Sequence, residues 1–197
     1  MTSVLRFRLV FLLLFCLGGQ PALAQDDEIL PAGGNAYDEA LSALSSGLSF
    51  KERGDYSGAI RRFSHALNSG YLDHANRAIA LNNRGNCYAE QEKWDEALAD
   101  YNQSLLLAPE FLEAYFNRAG LYYQTGRLKE AVVDYRQAIA QNPSLPQPHY
   151  RLAFVWAKLG DYEQAVAAGE EALNLDPGNQ RYLRQLEQWR REGQAVK

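Results

Sequence analysis

The side chains that could catalyse or ligate are few. His65, His74 and His149 lie far apart in the chain, with no H-x-x-x-H and no C-x-x-C, so the spacing that places two ligands on one helix face or turn is missing. Cys87 stands in an apolar-patterned helical stretch with no Lys or His close by in sequence to stabilise a thiolate. It reads as a small buried residue; the alternative is an intermolecular or reactive thiol. No G-x-S-x-G is present, and Gly18-Gly19 and Gly33-Gly34 are isolated pairs rather than a phosphate loop. Glu170-Glu171 and Asp26-Asp27-Glu28 read as solvated acids. No metal, no cofactor and no enzymatic activity are expected. What remains is recognition chemistry: asparagines that donate and accept, arginines that fork onto carboxylates, and aromatic rings.

The chain that must position these groups has 197 residues, 47% hydrophobic and 22% charged, with a formal net charge of −4. That composition belongs to a globular protein and excludes wholesale disorder, a collagen-like chain or a disulfide scaffold. Arg61-Arg62 and Arg190-Arg191 are basic pairs set among acids. With the acidic balance they argue against a nucleic-acid partner. The first 24 residues read as a bacterial export signal. Arg6 and Arg8 come first, then an unbroken apolar run over residues 9–17, then Ala22-Leu23-Ala24 as a cleavage site. The run is too short to span a bilayer, so no stable membrane insertion is expected after cleavage, and the expected location is the periplasm, with secretion as the variant. Cys16 follows Phe15 rather than a small residue, which disfavours a lipid anchor. Cys87 is then the sole remaining thiol.

The rest repeats itself. GDYSGAIRRFSHAL from Gly54, EKWDEALADYNQSL from Glu92, GRLKEAVVDYRQAI from Gly126 and GDYEQAVAAGEEAL from Gly160 begin 38, 34 and 34 residues apart. A second helical pattern precedes each and ends in an aromatic: Phe50, Tyr88, Tyr122, Trp156. Small residues recur at Gly47, Gly85, Ala119 and Ala153, and again at Ala59, Ala97, Ala131 and Ala165. Prolines 109, 143 and 177 follow three of the four. Small residues let paired helices approach closely, and proline stops one helix and opens the next.

This pattern resembles the tetratricopeptide repeat family, whose unit is a 34-residue helix–turn–helix. The resemblance covers residues 40–179 in four units: 40–73, 78–111, 112–145 and 146–179. It implies an all-α, right-handed superhelix (an α-solenoid) of four helix pairs. Around it lie a flexible leader over 25–39 and a capping helix with a frayed tail over 180–197. The first unit has Tyr71 in place of proline and four extra residues, so the connection over 68–77 is either a longer loop or an extension of the next helix. In the last unit Gly169 replaces the aromatic present as Phe63, Tyr101 and Tyr135; Tyr182 or Trp189 of the capping helix is expected to fill that gap.

The resemblance also implies where a ligand would lie. Groove-facing places in this family are the second, fifth, sixth, ninth, twelfth and thirteenth of each unit. They yield Asn82, Asn83 and Asn86, then Phe116, Asn117 and Tyr123, then Tyr150, Arg151, Phe154 and Lys158 as peptide-binding candidates. Ile79, Ala89, Glu90, Gly120 and Gln124 stand at further such places. Asn86, Asn117 and Arg151 occupy three places of the family's five-residue clamp for a C-terminal carboxylate. Asn82 and Gln147 stand where the clamp has lysines, so the clamp is partial at most. The expected function is a non-enzymatic adaptor or scaffold of the bacterial envelope that holds a protein or peptide. The alternatives are self-association through Leu41, Leu44 and Leu48, and binding of a peptidoglycan or glycan fragment by Tyr123, Tyr150 and the asparagines.

Overall fold

The computed structural model describes residues 34–195, and all regular structure among them is helical. The order is α1 (Gly34–Glu52), α2 (Tyr56–Asn68), α3 (His74–Glu90), α4 (Trp94–Leu107), α5 (Leu112–Gln124), α6 (Leu128–Gln141), α7 (Pro146–Lys158), α8 (Tyr162–Leu175) and α9 (Gln180–Ala195). Consecutive helices pack as the pairs α1/α2, α3/α4, α5/α6 and α7/α8, and α9 closes on α8. This is the right-handed helical-pair superhelix the repeats require.

Local chemistry sets the boundaries. Gly54, Gly126 and Gly160 turn the chain inside three pairs with φ between +77° and +80°, a region that costs a Cβ-bearing residue about 1–2 kcal/mol. Glu92 holds the same place in the α3/α4 pair at φ 59°. Asp55, Asp73 and Asp161 cap α2, α3 and α8 by accepting from the N–H three residues on. Pro146 opens α7, where a missing N–H costs nothing. The four extra residues after the first unit extend the next helix: α3 starts at His74, behind a short turn through Gly70.

Two expected boundaries move. α1 begins at Gly34, so residues 34–39 are helix rather than leader. The reason is packing: Ala40 is fully buried, and the Tyr37 hydroxyl donates to Asp73 Oδ2 at 3.1 Å, tying the start of α1 to the start of α3. At the other end α9 runs to Ala195 instead of fraying at Gly193, which lies against Tyr162. The export signal expected over 1–24, the rest of the expected leader over 25–33 and residues 196–197 lie outside the described residues. No described helix is long and apolar enough to cross a membrane.

Inside the first three pairs an aromatic of the second helix meets a small residue of the first. A Cβ on Gly85 would stand 2.8 Å from the Tyr101 ring. In the fourth pair α9 supplies the ring instead: Trp189, 2% exposed, lies 3.0 Å from the place of a Cβ on Gly169. Tyr182 is also buried, but against Tyr150. The aromatics closing the first helices are half-buried rather than internal. Phe50, Tyr88, Tyr122 and Trp156 pack one side on the core. Their rings carry cations: Arg53 at 4.7 Å over Phe50, Arg127 at 4.4 Å over Tyr122, Arg136 at 5.5 Å over Trp156. Leu44 is buried, and Leu41 and Leu48 pack on the same cluster, so the seam expected for self-association is engaged within the first repeats.

Candidate functional site

The first helices of successive pairs, α3, α5 and α7, line one groove of about 480 Å³ that also takes Arg181 of α9. Six expected residues line it: Asn86 from α3, Phe116, Asn117 and Tyr123 from α5, and Arg151 and Phe154 from α7. Ala89, Glu90, Gly120 and Gln124 lie between them, as the repeat places imply. Helical pitch explains the grouping, since places nine, twelve and thirteen of one helix share a face.

The groove floor fixes the amides. The Tyr101 hydroxyl donates to Asn86 Oδ1 at 2.7 Å, and the Asn86 NH₂ makes no hydrogen bond among the described residues. Asn117 Nδ2 donates to Asn82 Oδ1 at 3.0 Å, which leaves the Asn117 carbonyl oxygen as an acceptor. One free donor and one free acceptor complement the two polar ends of a peptide unit. Phe116 meets Tyr135 edge-on, 5.6 Å between centroids, and Phe154 meets Trp189 edge-on at 5.0 Å; both rings keep part of their surface open. Burial pushes the Tyr135 hydroxyl up to about 12, and raises Tyr101 further, beyond any physiological range. Both therefore remain neutral.

Four expected residues are placed otherwise. Asn82 is 4% exposed and spent on Asn117. Asn83 accepts from Lys51 Nζ and donates to the Ile79 carbonyl, so its amide is satisfied within the fold. Tyr150 is 4% exposed, its ring tilted against Tyr182 at 4.2 Å and edge-on to Phe154 at 5.0 Å. The cap draws it into the core, which removes its ring from a glycan-stacking role. Lys158 does not line the groove; its ammonium lies 4.5 Å over the Tyr123 ring and orients a lining residue instead.

Four lining residues were not among the candidates; one is Leu121, a buried residue of α5. Tyr101 and Tyr135 come from the second helices, where the repeat had marked them only as packing aromatics. Arg181 comes from α9. Counting on by 34 from the fourth unit puts a fifth at residue 180, with Arg181 at its second place, so the phase that located Arg151 was also the signal for Arg181. Cys87 is buried, its thiol pushed up to about 11 by desolvation. Among the described residues no three His, Cys, Asp or Glu side chains gather as a metal site.

Sequence profiles of the tetratricopeptide repeat match residues 38–110, 85–150 and 146–179. The chain belongs to the tetratricopeptide repeat family. It is thus built as a repeat scaffold for protein interaction, of a class that is in general not catalytic. Among curated protein sequences, none matches this chain. Solved structures share the fold. MamA from Desulfovibrio magneticus superimposes with a TM-score of 0.70 at 19% identity, over 81% of this chain and 89% of that one. YrrB, described as a tetratricopeptide repeat protein with an unusual peptide-binding site, superimposes at 0.65 and 20% identity, over 75% and 74%. The first repeat domain of Spaghetti (RPAP3), bound to the HSP90 peptide SRMEEVD, gives 0.57 at 29% identity, over 64% of this chain and 96% of that one.

Proposed function

We propose that this tetratricopeptide repeat protein is a non-enzymatic scaffold of the bacterial envelope that holds an extended segment of a protein partner across α3, α5 and α7. The observation that carries the reading is the amide pair on the groove floor. Asn86 and Asn117 are each anchored at one end and free at the other, so a partner backbone finds a preset donor and acceptor without ordering either side chain first. Phe116 and Phe154 flank the pair as apolar seats. The peptide-binding site described for YrrB and the HSP90 peptide bound by the Spaghetti repeats support this reading. Export is supported by the apolar run over 9–17 and the Ala22-Leu23-Ala24 site; mass analysis of the protein from the host's envelope fraction should give a chain starting at Gln25, and an intact Met1 there would contradict it.

Gly120 offers a clean test of the groove. It lines the site, and a Cβ added there would meet only the Tyr135 hydroxyl, at 3.7 Å. A Cβ there has room, so Gly120→Trp directs an indole into the groove, and a melting temperature equal to wild type checks that the core is undisturbed. Random peptides displayed on phage and selected on the wild type should bind in the micromolar range, and Gly120→Trp should weaken them at least tenfold. Selected peptides that bind the variant equally well, or a library that yields none, would overturn the reading.

A further inference from the structure

The groove is charged unequally along its length. At the α3 end its ionisable side chain is Glu90; at the far end stand Arg151 of α7 and Arg181 of α9. All three are exposed, and none is in an ion pair among the described residues. Other exposed arginines do find carboxylates: Arg127 holds Glu130 at 2.9 Å and Arg190 holds Glu170 at 2.6 Å. Arg181 is held in place without being neutralised, its guanidinium 5.6 Å from the Tyr150 ring, and burial raises the Tyr182 hydroxyl while the charges of Arg181 and Arg151 both oppose that rise. The capping helix thus does more than close the core. It adds a second guanidinium to the groove.

We propose that the groove selects its segment by charge order, seating an acidic side chain between Arg151 and Arg181 and a basic side chain at Glu90. The inference rests on the peptide-binding reading above. The reach follows from the helices. α3 and α7 are two helix steps apart, roughly 20 Å, which an extended chain spans in about six residues. Between the charged ends the backbone passes Asn86 and Asn117, and apolar side chains meet Phe116 and Phe154. A terminal carboxylate is not required, because the acid is read by two forked guanidiniums at the cap and the segment is free to continue past α9.

Acetylated, amidated heptapeptides provide the probe: Lys-Gly-Phe-Ser-Phe-Gly-Glu, its reverse Glu-Gly-Phe-Ser-Phe-Gly-Lys, and one with Gln at both ends. Affinities are read by fluorescence anisotropy with the full chain at low salt. One of the two charged peptides should bind at least tenfold more tightly than the Gln peptide and lose that advantage in 0.5 M salt. Arg181→Gln and Arg151→Gln should each weaken it about fivefold and weaken the Gln peptide far less, with melting temperatures equal to wild type. Arg151→Glu/Arg181→Glu should transfer preference to a peptide with Lys at both ends. Equal binding of charged and Gln peptides, both blocked by Gly120→Trp, would overturn charge selection and leave the groove reading standing. Arginine variants that weaken every peptide alike, or no binding by either charged peptide, would also overturn it; the phage selection then decides separately whether the groove reading fails too.

Discussion

The central pairs and the last pair solve the same packing problem with opposite chemistry. In α3/α4 and α5/α6 an arginine of the first helix forks onto a buried aspartate of the second. Arg84 Nε and NH2 reach Asp100 at 2.7 Å each, and Arg118 reaches Asp134 at 2.6 and 2.8 Å. The third arm of each fork crosses to the preceding pair, Arg84 to Ser64 at 2.9 Å and Arg118 to Asn102 at 2.6 Å. The aspartates are 5% and 3% exposed. In the last pair the matching places hold Leu152 and Ala168, both in the apolar cluster with Val132 and Val155. There α9 adds Tyr182 and Trp189 against Tyr150 and Phe154. The middle of the solenoid is stapled by directional polar contacts that fix register between neighbours. The end has no following unit and relies on apolar area from the cap. Repeat geometry therefore does not depend on either chemistry, but each region should fail in its own way.

The cap should show the largest effect. Trp189→Ala leaves Gly169 facing a cavity and should cost about 3–5 kcal/mol, lowering the melting temperature by roughly 10 °C in a domain of this size. An unchanged melting temperature would break the comparison at its strongest point. Next come the staples. Asp134→Ala strands the Arg118 guanidinium and should cost about 2–3 kcal/mol by denaturant unfolding, less than a fully buried pair because Arg118 keeps some solvent. The double change Arg118→Leu/Asp134→Ala rebuilds the pattern of the last pair and should lie within about 1 kcal/mol of wild type. A double variant as unstable as the single one would mean that the polar staple is required rather than interchangeable.

Alkaline sensitivity should also divide the regions, because Cys87 and Tyr101 are buried together in α3/α4. Desolvation raises the Cys87 thiol to about 11 from 9.0 and raises Tyr101 in the same direction. The folded chain then binds more protons than the unfolded one above pH 9, so stability should fall from there towards pH 11. Cys87→Ala should make that fall shallower by roughly 1–2 kcal/mol at pH 11. Identical pH slopes for the two proteins would contradict the burial argument. The smallest effect concerns the turn. Glu92 holds a left-handed conformation that glycine supplies in the other three pairs; Glu92→Gly should stabilise the protein by about 0.5 kcal/mol, the relief of strain being partly offset by unfolded-state entropy. A loss of stability would show that this turn is not strained.

Repeat phase made most of the solenoid legible, because small residues, second-helix aromatics and prolines recur at fixed places, each for a steric reason. It also placed Asn86, Phe116, Asn117, Arg151 and Phe154 on one face. What phase could not supply was the neighbour. Tyr150 stands at a groove place, yet the cap folds Tyr182 over it, and α9 follows a different sequence from the repeats. Asn82 stands at a groove place, yet Asn117 of α5, in the next pair, donates to its carbonyl oxygen. Arg84/Asp100 and Arg118/Asp134 carry a legible signal, an arginine and an aspartate 16 residues apart in two consecutive units. Charged residues inside a helical pair simply do not stand out in an apolar pattern.

The most direct measurement follows the side-chain amides of Asn86 and Asn117 by nuclear magnetic resonance as a phage-selected peptide is titrated into the protein. The account predicts that both shift, with the backbone of Phe116, Gly120 and Phe154, while the exposed Leu106 of α4 and Val133 of α6 stay still. Shifts confined to the second helices, with both asparagine amides unmoved, would place binding on the opposite face and contradict the groove.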